Sequence, residues 1–167
     1  MEATQSLGSA LASPKVGRGA AYADIDNDGA LDVLMTTNGG RAFLFHNEGV
    51  TNHSLRIKLV GTKSNRDGIG AVITLTSGGD KQWKMVRSGS SYLSQGELVA
   101  TFGLGQKAKA DSIEIQWPSG NTDKLSNINA GQTVTVQEGK GIISSRAYGV
   151  PQKSVSTKAA RVSTERQ

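Results

Sequence analysis

Short runs in which apolar and polar residues alternate recur from residue 19 to residue 138, separated by Gly, Asn, Asp and Ser. In one run, Leu55, Ile57 and Leu59 fall on the same face of a strand, because successive side chains of a strand point to opposite faces. No part of this span keeps an apolar stripe at helical spacing over three turns. The pattern therefore predicts an all-β protein whose alternating faces form the core.

Nine strands are predicted, and turn signals separate several of them. The sequences NGG, SGGD and PSGN supply residues that accept a positive φ or preset a turn, as hairpins require. The predicted strands have the sequences GAAYAD, DVLMTT, RAFLFHN, HSLRIKLV, GAVITLTS, KQWKMVRS, ELVATFGL, DSIEIQW and QTVTVQE.

An interruption of the apolar pattern at NEGVTN predicts a domain boundary near residue 50. Residues 50–140 would form a small antiparallel β-sandwich or barrel. Residues 17–49 hold three strands and an acidic loop, which is too little to bury both faces alone and is typical of one repeat among several. Either this unit docks on the sandwich or the chain is the C-terminal end of a longer repeat protein. Residues 1–16 are predicted to be a disordered or fragmentary N-terminus.

Composition excludes several classes of protein. The 167 residues include no cysteine, which excludes disulfides, thiolate metal sites and cysteine nucleophiles. No segment approaches the ~18 apolar residues of a membrane-spanning helix, and the N-terminus lacks the basic and apolar regions of a secretory signal. We therefore expect no membrane span, and an export signal would have to lie upstream.

The net charge of +5 is concentrated at the C-terminus. Residues 140–167 contain six basic residues and one acidic residue, whereas residues 1–139 contain thirteen of each. Low hydrophobicity and the lack of a sustained period predict that residues 141–167 are a basic, disordered tail. Aromatic residues are not interleaved with its basic residues, so no nucleic-acid partner is expected.

The segment DIDNDGALD places four carboxylates within nine residues. Carboxylates this close destabilise one another unless a cation lies between them. A set of hard oxygen ligands of this size suits Ca²⁺ better than Mg²⁺, which demands a stricter octahedron. The predicted ligands are the side chains of Asp24, Asp26, Asp28 and Asp32, and the backbone carbonyl of Ala30.

The loop shares the opening DxDxDG with an EF-hand but differs in two respects. The twelfth position, which in an EF-hand is a bidentate Glu, is Met35, and the flanks alternate as strands instead of helices. The sequence therefore predicts a nine-residue calcium loop in a β-hairpin, with Gly29 permitting the sharp turn. The structural alternative is an Asp-rich turn whose carboxylates accept hydrogen bonds from backbone amides.

Residues 17–49, GRGAAYADIDNDGALDVLMTTNGGRAFLFHNEG, resemble one FG-GAP or VCBS-type repeat, the calcium-loop repeat of integrin α-subunit propellers. The following segment resembles the ASPIC/UnbV domain of the cartilage acidic protein family. Four motifs in the expected order carry this resemblance: NRDGIGA from Asn65, SGSSYLSQ from Ser88, FGLG from Phe102 and WPSG from Trp117.

The resemblance implies an extracellular or cell-envelope protein in which a β-propeller of such repeats precedes the ASPIC/UnbV domain. It places calcium ligands on the five residues named above and brings no catalytic residues with it. A propeller needs at least four blades and this chain supplies at most one, so the chain would be a fragment or the missing blades would come from elsewhere.

Two further loops contain candidate ligand-binding residues, Arg66 and Asp67 in NRDGIG and Tyr92 and Gln95 in SGSSYLSQ. Arg66 is suited to a carboxylate or a sugar hydroxyl, and the hydroxyls around Tyr92 are suited to orienting a ligand. The structural alternative for both loops is a turn stabilised by its own hydrogen bonds.

Nucleophilic catalysis has little support in the sequence. The serines of SGSS lie in no GxSxG elbow, and neither His46 nor His53 is paired with an acid by spacing. His46 is therefore expected to be structural. Trp83 and Trp117 are expected to be buried or half-buried, because the rival role of a sugar-stacking platform needs an exposed ring.

These features favour a non-enzymatic, calcium-binding extracellular module for adhesion or binding. In it Ca²⁺ would rigidify the acidic hairpin beside a β-domain whose loops bind a protein or glycan. The alternative is an envelope or secondary-metabolism enzyme whose NRDGIG and SGSSYLSQ loops form a small-molecule cleft. Convergence of the four candidate residues of these loops would favour the enzyme, and their dispersal would count against it.

Overall fold

The computed structural model of the protein describes residues 14–49 and 52–148, and all regular structure in these ranges is β. The prediction of an all-β protein is therefore confirmed for this part of the chain, in which no helix long enough to cross a membrane occurs. The eleven strands are β1 Gly17–Ala23, β2 Asp32–Thr37, β3 Phe43–Phe45, β4 His53–Val60, β5 Val72–Ser77, β6 Asp80–Met85, β7 Ala100–Gly105, β8 Lys109–Gln116, β9 Thr122–Asn129, β10 Gln132–Gln137 and β11 Gly141–Ala147.

The strands form three sheets. The first has the order β1-β2-β3 and is antiparallel; we call residues 17–49, which contain it and the acidic loop, the hairpin unit. The other two sheets have the orders β11-β10-β4-β7 and β6-β5-β8-β9 and pack into a sandwich. These sheets do not close into a barrel, which corrects one of the two predicted forms.

The turn signals predicted an antiparallel sandwich, and this prediction is wrong for one pair of strands. Strand β10 lies parallel to β4, with Val134 opposite Ile57. No short turn joins these two strands, because β5 to β9 come between them in the chain, so hairpin geometry does not impose an antiparallel direction on the pair.

The core lies between the two sheets of the sandwich and follows the predicted alternation. Its largest fully buried apolar side chains come from both sheets: Leu55, Ile57, Ile73, Leu75, Phe102, Ile113, Ile115, Val134 and Val136. Trp117 is buried as predicted, but Trp83 is 63% exposed. Trp83 pairs with Thr74, whose two neighbours in β5 point into the core, so both Thr74 and Trp83 lie on the outer face.

Two strands were not predicted, β9 and β11. In β9 the left-handed residue Asn127, with φ of 54°, interrupts the pairing with β8, so that Leu125 and Ile128 both pack against the core although they are not two residues apart. The period of two is lost at Asn127, although the register of β8 and β9 is the same on both sides of it. Strand β11 was predicted to belong to the disordered tail, and that prediction is wrong for Gly141–Ala147, which pairs with β10. Residues 149–167 and residues 1–13, the greater part of the predicted termini, lie outside the described ranges.

The hairpin unit docks on the outer face of the sandwich. In β4, Leu55 and Ile57 point into the core, so Ser54 and Arg56 point outward, and the acidic loop covers them. Tyr148, which follows β11, completes the covered surface beside Ser54. The sandwich therefore supplies the support on which the acidic loop rests.

Candidate functional site

The acidic loop joins β1 to β2 and gathers three of its carboxylates. One oxygen from each of Asp24, Asp26 and Asp28 lies within 4.8 Å of the others. Two left-handed residues turn the chain back on itself, Asn27 with φ of 61° between Asp26 and Asp28 and Gly29 with φ of 90° directly after Asp28. Of the predicted ligands, these three are the ones that the structure brings together.

Backbone amides of the loop donate hydrogen bonds to the same carboxylates. Asp24 accepts the N–H groups of Asp28 at 3.1 Å and Gly29 at 3.0 Å, and Asp28 accepts the N–H group of Ala30 at 2.7 Å. The loop is thus an Asp-rich turn of the kind expected as the structural alternative. The two roles are compatible, because each carboxylate has about four acceptor positions and these bonds use only some of them.

Asp32, at the start of β2, has different surroundings. Its Oδ2 accepts the N–H group of Ile25 at 3.1 Å, and its Oδ1 lies 2.8 Å from both the backbone N of Asn47 and Nδ1 of His46. Burial raises the pKa of Asp32, but these hydrogen bonds outweigh it and the net direction is down. The contact between His46 and Asp32 is consistent with the structural role expected of His46, and Asp32 joins the end of β3 to the loop. For Asp32 and the carbonyl of Ala30 the ligand role stays a prediction.

Repulsion between the carboxylates is visible in the charge balance of the loop. The pKa of Asp28 is raised by its burial and by the negative charges of Asp26, Asp24 and Asp32, although the N–H group of Ala30 opposes this. A cation placed between these carboxylates would relieve the repulsion.

One buried guanidinium neutralises part of this charge. Nη1 of Arg56 lies 2.6 Å from Oδ2 of Asp24, and Nη2 of Arg56 bonds Oε2 of Glu97. The side chains of Arg56 and Asp24 are 4% and 0% exposed. Burial raises the pKa of Glu97, as does the Asp24 charge, although Arg56 lowers it. We call Asp24, Arg56 and Glu97 the ionic triad; it links the hairpin unit to the sandwich.

Further contacts hold the loop on the sandwich. The Ser54 hydroxyl donates to the carbonyl of Gly29 at 3.1 Å, and the ring of Tyr148 lies so close to Gly29 that a Cβ there would come within 2.3 Å of it. The backbone N–H of Glu97 donates to the carbonyl of Tyr22 at 2.9 Å. The hairpin unit is therefore docked on the sandwich, which is the first of the two arrangements considered from the sequence.

Arg56, Glu97 and Tyr148 are not among the site residues predicted from the sequence. Arg56 falls at an outward position of an alternating strand, where a charged residue facing solvent is the ordinary expectation. Only two observations taken together could have indicated the ion pair. One is a basic residue on a face of the sandwich, and the other is an excess of acidic residues in an adjacent unit that is too small to be stable alone.

The candidate ligand-binding residues are not assembled into a cleft. Arg66 is exposed and pairs with its neighbour Asp67, with Nε and Nη2 each 3.2 Å from a carboxylate oxygen. Tyr92 lies beneath Arg18, whose Cζ is 5.0 Å from the ring centre. Neither of the two cavities described for residues 14–49 and 52–148 is lined by any of the four residues, Gln95 being the fourth. Their assignment to a ligand stays a prediction.

Glu138 organises the WPSG turn and the loop before NRDGIG. Its buried carboxylate accepts the N–H groups of Thr62, Lys63 and Ser64, each at 2.8 Å, and the hydroxyl of Ser119. Although burial opposes it, these hydrogen bonds lower the pKa of Glu138 to about 2. Of the four motifs that carried the resemblance, WPSG therefore contacts this structural carboxylate, through Ser119.

Comparison with known proteins identifies the domain in the second part of the chain. Residues 61–143 match the family described as ASPIC and UnbV. Cartilage acidic protein 1 of Homo sapiens is 33% identical over 136 residues, which include 78% of this chain and 20% of that protein. Cartilage acidic protein 1 of Mus musculus is 34% identical over 118 residues, covering 68% of this chain and 18% of that protein. The corresponding protein of Xenopus tropicalis is 35% identical over 109 residues, 62% of this chain and 16% of that protein.

These matches confirm the prediction of an ASPIC/UnbV domain. The chain spans about one-fifth of the length of the human relative. The human alignment is longer than the matched domain and so also includes residues outside it. The assignment of residues 17–49 to an FG-GAP or VCBS-type repeat remains a prediction.

Proposed function

We propose that this chain, whose residues 61–143 form an ASPIC and UnbV domain, is a non-enzymatic, calcium-binding module that acts outside the cell in adhesion or binding. Ca²⁺ in the acidic loop rigidifies the hairpin unit, and the adjoining sandwich presents its surface to a protein or glycan. The observation that carries the proposal is the gathering of Asp24, Asp26 and Asp28 on a loop supported by the ionic triad.

The donor set suits a hard divalent ion. Three carboxylates offer oxygen atoms within 4.8 Å of one another, and ligand oxygens on an ion with bonds of about 2.3–2.6 Å are separated by similar distances. A bound ion would supply positive charge that bridges the outer part of the loop to its inner part. The chain's own contribution is to hold Asp24 in place through the amides of Asp28 and Gly29 and through Arg56.

Thermal unfolding in Ca²⁺, in a chelator and in Mg²⁺ tests the proposal. An ion that binds only the folded state stabilises it by about 2.7 kcal/mol at one hundred times its Kd, so calcium should raise the melting temperature by several degrees. Asp26→Ala should lower calcium affinity and remove most of this rise, because Asp26 is the most exposed of the three carboxylates and supports the fold least without an ion.

Asp67→Ala is a matched control. The side chains of Asp26 and Asp67 are both 44% exposed, and each has a basic side chain nearby, His46 for Asp26 and Arg66 for Asp67, but Asp67 lies outside the acidic loop. Asp67→Ala should leave the calcium response unchanged. A melting temperature that does not respond to calcium, or that responds equally in Asp26→Ala, would refute calcium binding in this loop.

The extracellular location and the longer context are part of the same proposal. The chain matches one-fifth of a relative whose name refers to cartilage, a tissue consisting largely of extracellular matrix. Further repeats of the FG-GAP or VCBS type, in a longer form of the protein or on another chain, would then pack against the hairpin unit. Residues Val33, Leu34 and Leu44 in this sheet are apolar and exposed, which is consistent with such a neighbour.

The alternative of an enzyme is not favoured by the positions of its proposed residues. Arg66 and Asp67 satisfy each other, and Tyr92 is associated with Arg18 of the hairpin unit. Loss of one common enzymatic activity in both Arg66→Ala and Tyr92→Ala would support the enzyme after all.

A further inference from the structure

The outer face of the sheet β6-β5-β8-β9 is accessible across all four strands. In β5, Ile73 and Leu75 are fully buried in the core. Their neighbours Val72, Thr74 and Thr76 therefore point outward. The residues paired with these three in β6 and β8, and the residues of β9 paired in turn with those of β8, point to the same side. We call this set of outward side chains the open face, and the hairpin unit docks on the other sheet of the sandwich.

The open face carries one of the two tryptophans of the chain. Trp83 is 63% exposed, whereas Trp117 is buried in the core. Met85, two residues further along β6 on the same face, is 41% exposed, and Val72 lies opposite it in β5. These side chains form an accessible apolar strip, and exposed apolar side chains that lie together mark binding surfaces. The face of an aromatic ring carries partial negative charge, so it attracts the weakly positive C–H groups of a ligand.

Beside this strip, the open face consists largely of short hydroxyl side chains. All of them are at least partly exposed, and they are Thr74, Thr76, Ser112, Thr122 and Ser126. In the part of the chain that the structure describes, none of these hydroxyls is hydrogen-bonded to another protein group. Thr74 lies directly opposite Trp83, which places the Cβ atoms of the two residues about 4.5–5.5 Å apart. A ligand on the tryptophan ring would therefore reach hydroxyls that both donate and accept hydrogen bonds.

The charges of the open face nearly cancel. Its ionisable residues are Lys81, Glu114 and Lys124, so two lysines less one glutamate give a net charge of +1. Nζ of Lys124 lies 3.5 Å from Oε2 of Glu114, and Gln116 donates a hydrogen bond to Oε1 of Glu114 at 3.2 Å. A polyanion such as a nucleic acid needs several basic residues on its phosphates, and a cationic ligand would find the carboxylate of this face already engaged. The open face therefore complements an uncharged ligand.

We propose that the open face binds a neutral oligosaccharide, with the C–H face of one sugar ring on Trp83 and sugar hydroxyls on Thr74 and Thr76. Such a ligand matches both parts of the surface, whereas an apolar peptide would cover the hydroxyls without pairing them. Four strands at a spacing of about 4.7–4.9 Å span about 14 Å, so a chain of sugars can lie across them. This inference rests on the proposed function as a binding module, and it specifies the ligand class and the site. The site includes none of the four ligand-binding residues predicted from the sequence.

The indole N–H signals of the two tryptophans, in the NMR spectrum of the isotopically labelled full chain, report on the site directly. Linear oligosaccharides of glucose, mannose, xylose and N-acetylglucosamine are the neutral probes, and a heparin fragment and oligothymidylate are the anionic ones. At least one neutral probe should shift the signal of Trp83, which is assigned by its absence in Trp83→Ala. The signal of Trp117 should stay in place, because that side chain is buried in the core.

Variants of the open face measure the contribution of each contact, with saturation-transfer NMR as the readout. Trp83→Ala should abolish binding, whereas Trp83→Tyr keeps an aromatic ring and should retain part of it. Thr74→Val removes one hydroxyl at nearly constant shape and should weaken binding about threefold to tenfold. Tyr92→Ala removes a ring that is 67% exposed but lies outside the open face, and it should leave binding unchanged. Thermal melts check that each variant is folded, which we expect because Trp83 is largely exposed.

No shift of the Trp83 signal with any neutral probe, or equal binding in the wild type and Trp83→Ala, would overturn the proposal. A preference for heparin or oligothymidylate would do so as well. A dimer in sedimentation that Trp83→Ala dissociates would assign the open face to a second copy of the chain and would also overturn it.

Calcium-dependent melting of the same wild-type sample separates the two proposals. A calcium response without oligosaccharide binding overturns the site on the open face alone. Oligosaccharide binding without a calcium response overturns the calcium loop alone, because the open face and the acidic loop share no residue.

Discussion

Arg56→Met tests whether the ionic triad holds the hairpin unit on the sandwich. Methionine keeps an unbranched apolar chain of similar length and removes the guanidinium. The carboxylates of Asp24 and Glu97, whose side chains are 0% and 14% exposed, then remain buried without their common cation. Each would repel the other across the space that the guanidinium had filled.

The magnitude follows from the burial of the group. Removing one partner of a buried ion pair costs about 3–5 kcal/mol, because the remaining charge is neither solvated nor paired. Two amides, those of Asp28 and Gly29, still donate to Asp24, which favours the lower half of the range. A loss of about 3–4 kcal/mol corresponds to a fall in melting temperature of roughly 10–20 °C for a domain of this size.

Urea unfolding monitored by circular dichroism measures the change in the free energy of unfolding caused by Arg56→Met. The double variant of Arg56→Met and Glu97→Gln should recover about 1–2 kcal/mol, since neutral glutamine removes one of the two stranded charges. A loss below about 1 kcal/mol in Arg56→Met would show that the triad behaves like a surface pair. No recovery in the double variant would mean that the cost arises from packing and not from charge.

Two other predictions concern single residues. Gly29→Ala should destabilise the chain by about 1–2 kcal/mol because of the left-handed backbone at Gly29, and further because its Cβ would contact Tyr148. Gly39 is also left-handed but has no atoms near its Cβ position, so Gly39→Ala should show only the backbone cost in the same urea experiment. The pKa of Glu138 is about 2 against an ordinary 4.5, so the stabilisation from its carboxylate is present above pH 4.5 and is lost as the pH falls towards 2. Glu138→Gln should therefore reduce the fall in melting temperature between pH 4.5 and pH 2, which we call the acid limb.

Each of these two predictions would be contradicted by a specific result. Equal losses in Gly29→Ala and Gly39→Ala would show that Tyr148 can move away from Gly29 at no cost. An acid limb that is unchanged by Glu138→Gln would assign acid unfolding to other carboxylates.

The alternation of side chains made the strands predictable wherever it was regular. β2 and β4 have the predicted boundaries, and Leu55, Ile57 and Leu59 of β4 are buried, as the period of two predicted. The left-handed backbone of Asn127 removed that signal from β9, because Leu125 and Ile128 on either side of it both pack against the core. In β11 the strand exists through backbone pairing with β10, while its adjacent Ile142 and Ile143 are both exposed.

The site was only partly predictable for a related reason. Carboxylates two residues apart on a tight turn must lie close together, and Asp24, Asp26 and Asp28 do. Asp32 has the same chemistry, but its partners His46 and Asn47 follow β3, and only the pairing of β2 with β3 brings them to it. Arg56 and Glu97 depend on where one unit docks on another, which no local pattern of either unit contains.

The guanidinium of Arg56 has a consequence for the order in which the protein assembles. A carboxylate cluster that depended wholly on a metal would stay apart during synthesis wherever the metal is scarce. Here the innermost carboxylate carries its own counter-charge, supplied by the chain, so the hairpin unit can settle on the sandwich before any ion arrives. An ion bound as proposed would add its charge to Asp26 and Asp28 at the rim, next to Asp24, and its later removal would loosen the rim while leaving the two parts of the chain joined.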